Sequence, residues 1–160
     1  LGAASHFSDD TQMTLYTADG LLEALEWANG GVGADTNACL WLAYLRWLAT
    51  QGEAAPVSAP APQPRWIDGQ AVLHQGRHPG KACISGLATG EMGTSIRPVN
   101  RESKGCGTVM RSAPFGLIPH ISPDATPWIP RNRRVMSGSA MRVSSAPDNP
   151  GDDSVSETIG

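Results

Sequence analysis

The stretch Leu40-Trp41-Leu42-Ala43-Tyr44-Leu45-Arg46-Trp47-Leu48 constrains the fold more than any other part of the chain. It follows Asp35-Thr36, ends near Gln51-Gly52, and is apolar on nearly every side: Leu40, Leu42, Leu45 and Leu48 are interleaved with Trp41, Tyr44 and Trp47. A helix that is hydrophobic all round has to be buried, so the pattern predicts a central, well-buried helix. The aromatic residues have the spacing of a packed helix and are read as core rather than as a cofactor box.

A second helical pattern precedes it. From Thr11 to Ala28 the apolar positions Leu15, Leu22 and Leu25, with Ala18 and Leu21 beside them, return at helical spacing, and Asn29-Gly30-Gly31 supplies a stop. Residues 53–64 are rich in Pro and Ala and cannot continue a helix, so they read as a surface loop or spacer. Pro79 to Leu87 reads as a short helix opening with proline, which a first turn tolerates. A glycine-rich loop, Thr89-Gly90-Glu91-Met92-Gly93-Thr94, follows it. The segment from Asn100 to Leu117 passes from polar loop to glycine turn to apolar helix. Beyond about Ile121, Pro, Ser, Arg and Asp dominate and apolar residues keep no period, so residues 121–160 are expected to be largely irregular.

The chain's 160 residues suit one ordinary domain with one core. Its formal net charge of −3 and the lack of a Lys/Arg stripe interleaved with aromatics speak against a nucleic-acid partner. No apolar run approaches the roughly 20 residues of a membrane span, and no basic-then-apolar signal opens the sequence. Cys39, Cys83 and Cys106 are widely separated and odd in number, without zinc-type pairs or a secreted disulfide pattern. A cytoplasmic setting is expected. Residue 1 is Leu rather than Met, and the chain is expected to begin inside a longer protein.

Two segments carry candidate chemistry. Ser8-Asp9-Asp10-Thr11-Gln12-Met13 puts adjacent carboxylates and two hydroxyls at the start of the first helix. Hard divalent cations take such oxygen ligands, and the same residue types also serve as ordinary helix caps. Ser103-Lys104-Gly105-Cys106-Gly107 has the physics of a phosphate cradle: glycines admit an anion to the backbone, a following helix offers free N–H groups, and Lys104 adds charge. It is not a Walker motif, and a glycine turn that lets two helices pack is the alternative. His74 and His78 are four apart, but Gly76 and Pro79 break any shared helix, so both read as exposed loop residues. Cys106 beside Lys104 has no identifiable base and is not expected to be a nucleophile. Arg131, Arg133 and Arg134 read as a solvated basic cluster.

Taken in order, these segments resemble the ADP-ribosylglycohydrolase family. Ser8-Asp9-Asp10-Thr11-Gln12-Met13-Thr14-Leu15 is similar to its first metal motif, Ser/Thr-Asp-Asp-Thr, and Leu42-Ala43-Tyr44-Leu45-Arg46-Trp47-Leu48 resembles a second helix of the family. His78-Pro79-Gly80-Lys81-Ala82-Cys83 resembles its Ala/Pro-Gly-x-x-Cys segment. Ser103-Lys104-Gly105-Cys106-Gly107-Thr108-Val109-Met110-Arg111-Ser112-Ala113-Pro114 resembles its substrate loop closely. The resemblance spans about His6 to Leu117. It implies an all-α domain that holds two divalent ions, Mg2+ or Mn2+, and cleaves the bond between C1″ of ADP-ribose and a modified protein side chain or small acceptor. Ser8, Asp9 and Asp10 fall at metal-ligand positions. Ser103, Gly105, Cys106 and Gly107 fall at positions lining the ADP-ribose site, with Lys104 near the phosphates and with Met110 and Arg111 supporting the loop from the helix behind it.

The family pattern also includes an earlier helix with a Gly-Asp-Ala-x-Gly-type motif and a late Asp-x-Asp-Ser/Thr motif, and neither is matched here. Pro150-Gly151-Asp152-Asp153-Ser154 comes nearest to the late motif, but its carboxylates are adjacent rather than alternating. The expectation is therefore a partial domain over residues 1–120, truncated at both ends, with a non-matching tail over 121–160. Its parent activity is hydrolysis of ADP-ribosyl bonds by a metal site of which at most half is present. Retained ADP-ribose binding without turnover, or a helical interaction module, stand as the alternatives.

Overall fold

The computed structural model describes residues 6–118. Helix α1 spans Asp9–Asn29, α2 Thr36–Thr50, α3 Lys81–Leu87 and α4 Gly107–Met110, with 3-10 turns at Trp66–Gly69, Ala71–Leu73 and Ala113–Leu117. The described residues contain no strand, and the fold is all-α as expected. No helix among them is long and apolar enough to cross a membrane. The expected irregular tail, with Arg131, Arg133, Arg134 and the Asp152-Asp153 pair, lies outside the described residues.

Helix α2 is the centre, as its composition requires. Leu40, Ala43, Leu45, Trp47 and Leu48 are almost fully buried, and Ile67, Leu73 and Leu87 close the core around them. Its start is fixed by Asp35, whose carboxylate accepts from Asn37 N at 2.9 Å and Ala38 N at 3.4 Å. These are two of the amide protons that a helix leaves unpaired at its first turn.

Helix α1 packs on α2 with a face other than the leucine stripe. Leu15, Leu22 and Leu25 are 43%, 54% and 42% exposed. The buried face is instead Gln12, Met13, Tyr16, Thr17, Gly20, Leu21 and Ala24. Close approach at Gly20 sets this rotation. A Cβ there would stand 3.1 Å from Ala43 Cβ, Cys39 O and Leu40 Cα. The polar members of the face find partners far along the chain: Gln12 donates to Leu73 O and Gln75 O at 3.0 Å, Tyr16 donates to Asp68 Oδ1 at 3.1 Å, and Thr17 Oγ1 meets Tyr44 Oη at 2.7 Å. Buried polar groups satisfied in this way add specificity without the cost of desolvated, unpaired atoms.

The later segments are more broken than their periodicity suggests. Helix α3 begins at Lys81, not Pro79, because Gly80 caps it in an extended conformation and sends its N–H elsewhere. The apolar run before Leu117 is one turn of α4 followed by a 3-10 turn rather than a continuous helix. Pro114, which lacks a backbone donor, lies within that change. Residues 53–64 form the expected surface loop. They are pinned against Gly90, where φ is +69° and any Cβ would collide with Ser58 Oγ.

Candidate functional site

A cavity of about 770 Å³ opens between the start of α1, the middle of α2, the start of α3 and the loop before α4. Its size falls within the range typical of small-molecule sites, about 300–1,000 Å³. Asp9 and Asp10 line it from α1, Trp41 and Tyr44 from α2, and Ser103, Gly105, Cys106 and Gly107 from the loop. The fold thus faces the acidic pair and the glycine loop, some 95 residues apart in the sequence, into one space.

Local chemistry holds both walls. Asp9 is 8% exposed, and its Oδ2 accepts from Gly80 N at 3.2 Å, which ties the first turn of α1 to the start of α3. Asn100 Nδ2 donates to Ala82 O at 2.6 Å, and Ser103 N donates to Asn100 O at 3.2 Å, so the loop hangs from α3. On the other side Thr14 Oγ1 lies 2.9 Å from Met110 O, which attaches the end of the loop to α1. Gly107 is a close-packing position: a Cβ there would come within 3.1 Å of Cys83 Sγ.

Two expected site residues stand apart from the rest. Ser8 is the exposed N-cap of α1, its side chain makes no capping bond, and it does not line the cavity. The capping role open to the Ser8 side chain is therefore not used. Lys104 is exposed and also lies outside the lining. The cations that do line the cavity are Lys81 and Arg111.

Arg111 goes beyond the loop-supporting part expected of it. Its guanidinium sits 4.8 Å above the Tyr44 ring and reaches Met13 Sδ at 3.8 Å. Cation–π packing of this kind fixes a positive charge at a defined place. Tyr44 belongs to the core, as its spacing predicts, with Trp41 packed against that core, and both also line the cavity. His78 also lines it, whereas His74 is held away with Nε2 2.6 Å from Asp68 O. The signals for these residues were present in the sequence, since Arg111 directly follows the loop and His78 opens the Pro-Gly segment, but neither spacing shows what a side chain will face.

The electrostatics argue against thiol chemistry at Cys83. Burial pushes its thiol above the usual range. The Arg111 charge opposes that shift, while Asp9, Asp10 and Cys106 add to it. A protonated thiol is a poor nucleophile. Cys106 is exposed.

For a metal, the donors suited to a hard cation here are the carboxylates of Asp9 and Asp10. Glu91 also lines the cavity but is paired with Arg97 at 2.7 Å. Among the described residues no group of three or more His, Cys, Asp and Glu side chains converges. One or two carboxylates, completed by waters and substrate phosphates, is a coordination pattern that Mg2+ commonly accepts. The residues present therefore fit such an ion as a partial ligand set.

The sequence model of the ADP-ribosylglycohydrolase family matches residues 2–146. The chain belongs to the ADP-ribosylglycohydrolase family. The match runs past Leu117, where the quoted segments end, and takes in both walls of the cavity. The family is one of hydrolases acting on ADP-ribosylated substrates. No curated protein and no solved structure matches the chain.

Proposed function

We propose that this family member hydrolyses the bond between C1″ of ADP-ribose and a modified protein side chain or small acceptor, with Mg2+ or Mn2+ bound at the start of α1. The observation that carries the reading is the convergence of Asp9 and Asp10 with the Ser103–Gly107 loop on a single cavity. In the binuclear arrangement of the family, Asp9 and Asp10 would supply oxygen ligands from within the cavity, and Ser8, which lies outside its lining, would have to turn its hydroxyl inward to join them. Bound divalent ions would orient the ribose and lower the pKa of a water.

The chain's own residues do the rest. The Ser103 hydroxyl and the backbone of Gly105, Cys106 and Gly107 receive the ADP-ribose, and glycine at these positions lets the ligand approach the main chain. Arg111 and Lys81 offset the diphosphate charge from within the cavity, and Lys104 does so from outside it. The partly buried Trp41 side chain supplies apolar wall against which a ring can stack.

Calorimetric titration with ADP-ribose, with and without Mn2+ or Mg2+, tests the reading together with an assay for ADP-ribose released from modified arginine or serine. Metal-dependent binding and release are expected. Binding without release would leave a non-catalytic ADP-ribose binder, and neither binding nor release would leave a helical interaction module.

A further inference from the structure

His78 is the one described residue other than glycine with a positive φ, +57°. Side chains with a Cβ rarely adopt this left-handed conformation, and a proline at the next position restricts the backbone further. Pro79 is that next residue. Glycine is the residue that such a turn selects when only the backbone matters.

The conformation is imposed from both sides. Before it, Arg77 stacks its guanidinium 4.7 Å from the Phe7 ring centre, donates from Nη2 to Gln75 Oε1 at 2.6 Å, and donates from its backbone N to Gln51 Oε1 at 3.3 Å. After it, Gly80 N is held by Asp9 Oδ2, and Gly80 O accepts from Cys83 N and Ile84 N as α3 begins. Between these anchors His78 lines the cavity, two residues before the Gly80 N–H that binds Asp9 Oδ2.

The imidazole is exposed and has no hydrogen-bond partner among the described residues, in contrast to His74. A neutral imidazole offers one N–H donor and one nitrogen acceptor. Strained residues persist where the surrounding structure over-determines them, and they cluster at ligand sites. We infer that His78 is a ligand-contacting residue, hydrogen-bonding the ribose hydroxyls that lie next to the bond being cleaved. This rests on the ADP-ribose reading above, which puts that ribose at the Asp9–Asp10 end of the cavity.

The test compares His78→Ala and His78→Gly with the wild type in two measurements: ADP-ribose affinity by calorimetry in Mn2+, and the midpoint of urea unfolding. Both variants lose the imidazole, but only glycine relieves the backbone. The expected result is a loss of affinity of about tenfold in both, the scale of one lost hydrogen bond, with His78→Gly more stable than His78→Ala. Affinity unchanged in both variants, or restored by glycine alone, would show that the position serves only the turn and overturn the inference. A wild-type chain that does not bind ADP-ribose overturns the parent reading, and this one with it.

Discussion

The backbone N–H of Gly80 donates to Asp9 Oδ2 at 3.2 Å, which joins residues 71 positions apart and fixes one corner of the cavity. Asp9 therefore has two separable duties, a structural one as acceptor and a proposed one as metal ligand. Asp9→Asn keeps an oxygen acceptor and removes the charge; Asp9→Ala removes both. We expect Asp9→Ala to lower stability by about 1 kcal/mol, the net worth of one hydrogen bond, and Asp9→Asn to cost less. Both should abolish Mn2+ binding measured by calorimetry. Mn2+ affinity that survives Asp9→Asn would remove Asp9 from the ligand set.

Arg46 gives a second prediction. Its side chain, 4% exposed, lies among Asp19 at 2.5 Å, Asp68 at 3.3 Å and Glu23 at 3.6 Å. Arg65 adds its own charge at Asp19, at 3.0 Å. Only the Asp19 contact of Arg46 has hydrogen-bond geometry, and Arg46 Nε and Glu23 Oε2 lack a hydrogen-bond partner, so Asp19 is the dominant anchor. Breaking a buried pair strands the opposite charge and costs about 3–5 kcal/mol. Arg46→Met should approach the lower end of that range in urea unfolding, since Arg65 remains to serve Asp19. Arg46→Lys should fall between the variant and the wild type, because one ammonium cannot reproduce the planar fork.

The contrast between α1 and α2 shows what could be read without coordinates. Helix α2 was legible because its apolar density leaves one physical solution, burial, and its bounds followed from Asp35 and Gln51-Gly52. Helix α1 was legible in extent but not in rotation. Counting leucines favours Leu15, Leu22 and Leu25, whereas the packed face is chosen by Gly20, which admits α2, and by Gln12 and Tyr16, whose partners lie 52–63 residues away. Such distant pairings leave no periodic trace. The site divides in the same way: motifs located Asp9, Asp10 and the Ser103–Gly107 loop, while Lys81, Trp41 and Arg111 became wall residues only through the fold.

The buried ionisable groups set the alkaline limit of stability. Tyr16 and Tyr44 are both pushed upward, chiefly by burial, with Asp68 reinforcing the shift at Tyr16. Cys39 and Cys83 are raised by the same cause. Each is an acid that keeps its proton longer in the folded chain, so above the unfolded pKa the unfolded state binds fewer protons and stability falls as pH rises. Unfolded thiols and phenols ionise near about 8.5 and 10. Urea midpoints should therefore hold up to about pH 8 and decline progressively above it. Tyr16→Phe should flatten the part of the decline above about pH 10, while losing the Asp68 bond at every pH.

Gly107 and Cys83 supply the last prediction. The position where a Gly107 Cβ would stand lies 3.1 Å from Cys83 Sγ, tighter than ordinary contact, and both residues line the cavity. Gly107→Ala must therefore displace either the thiol or the loop. Cys83 is itself half-buried in the wall, and the loop is held by Asn100 and by Thr14 at Met110, so the movement falls between those two attachments, on Ser103 to Gly107. We expect Gly107→Ala to weaken ADP-ribose binding by about tenfold, equivalent to about 1.4 kcal/mol. Cys83→Ala alone should leave binding within a factor of about two to three, since the removed sulfur only opens space, a shift of well under 1 kcal/mol. The double variant should bind more tightly than Gly107→Ala, because the obstructing sulfur is gone. That non-additivity is the signature of direct contact in a double-mutant cycle. Strictly additive losses would instead mean that the Gly107 backbone, rather than its clearance from Cys83, governs the loop.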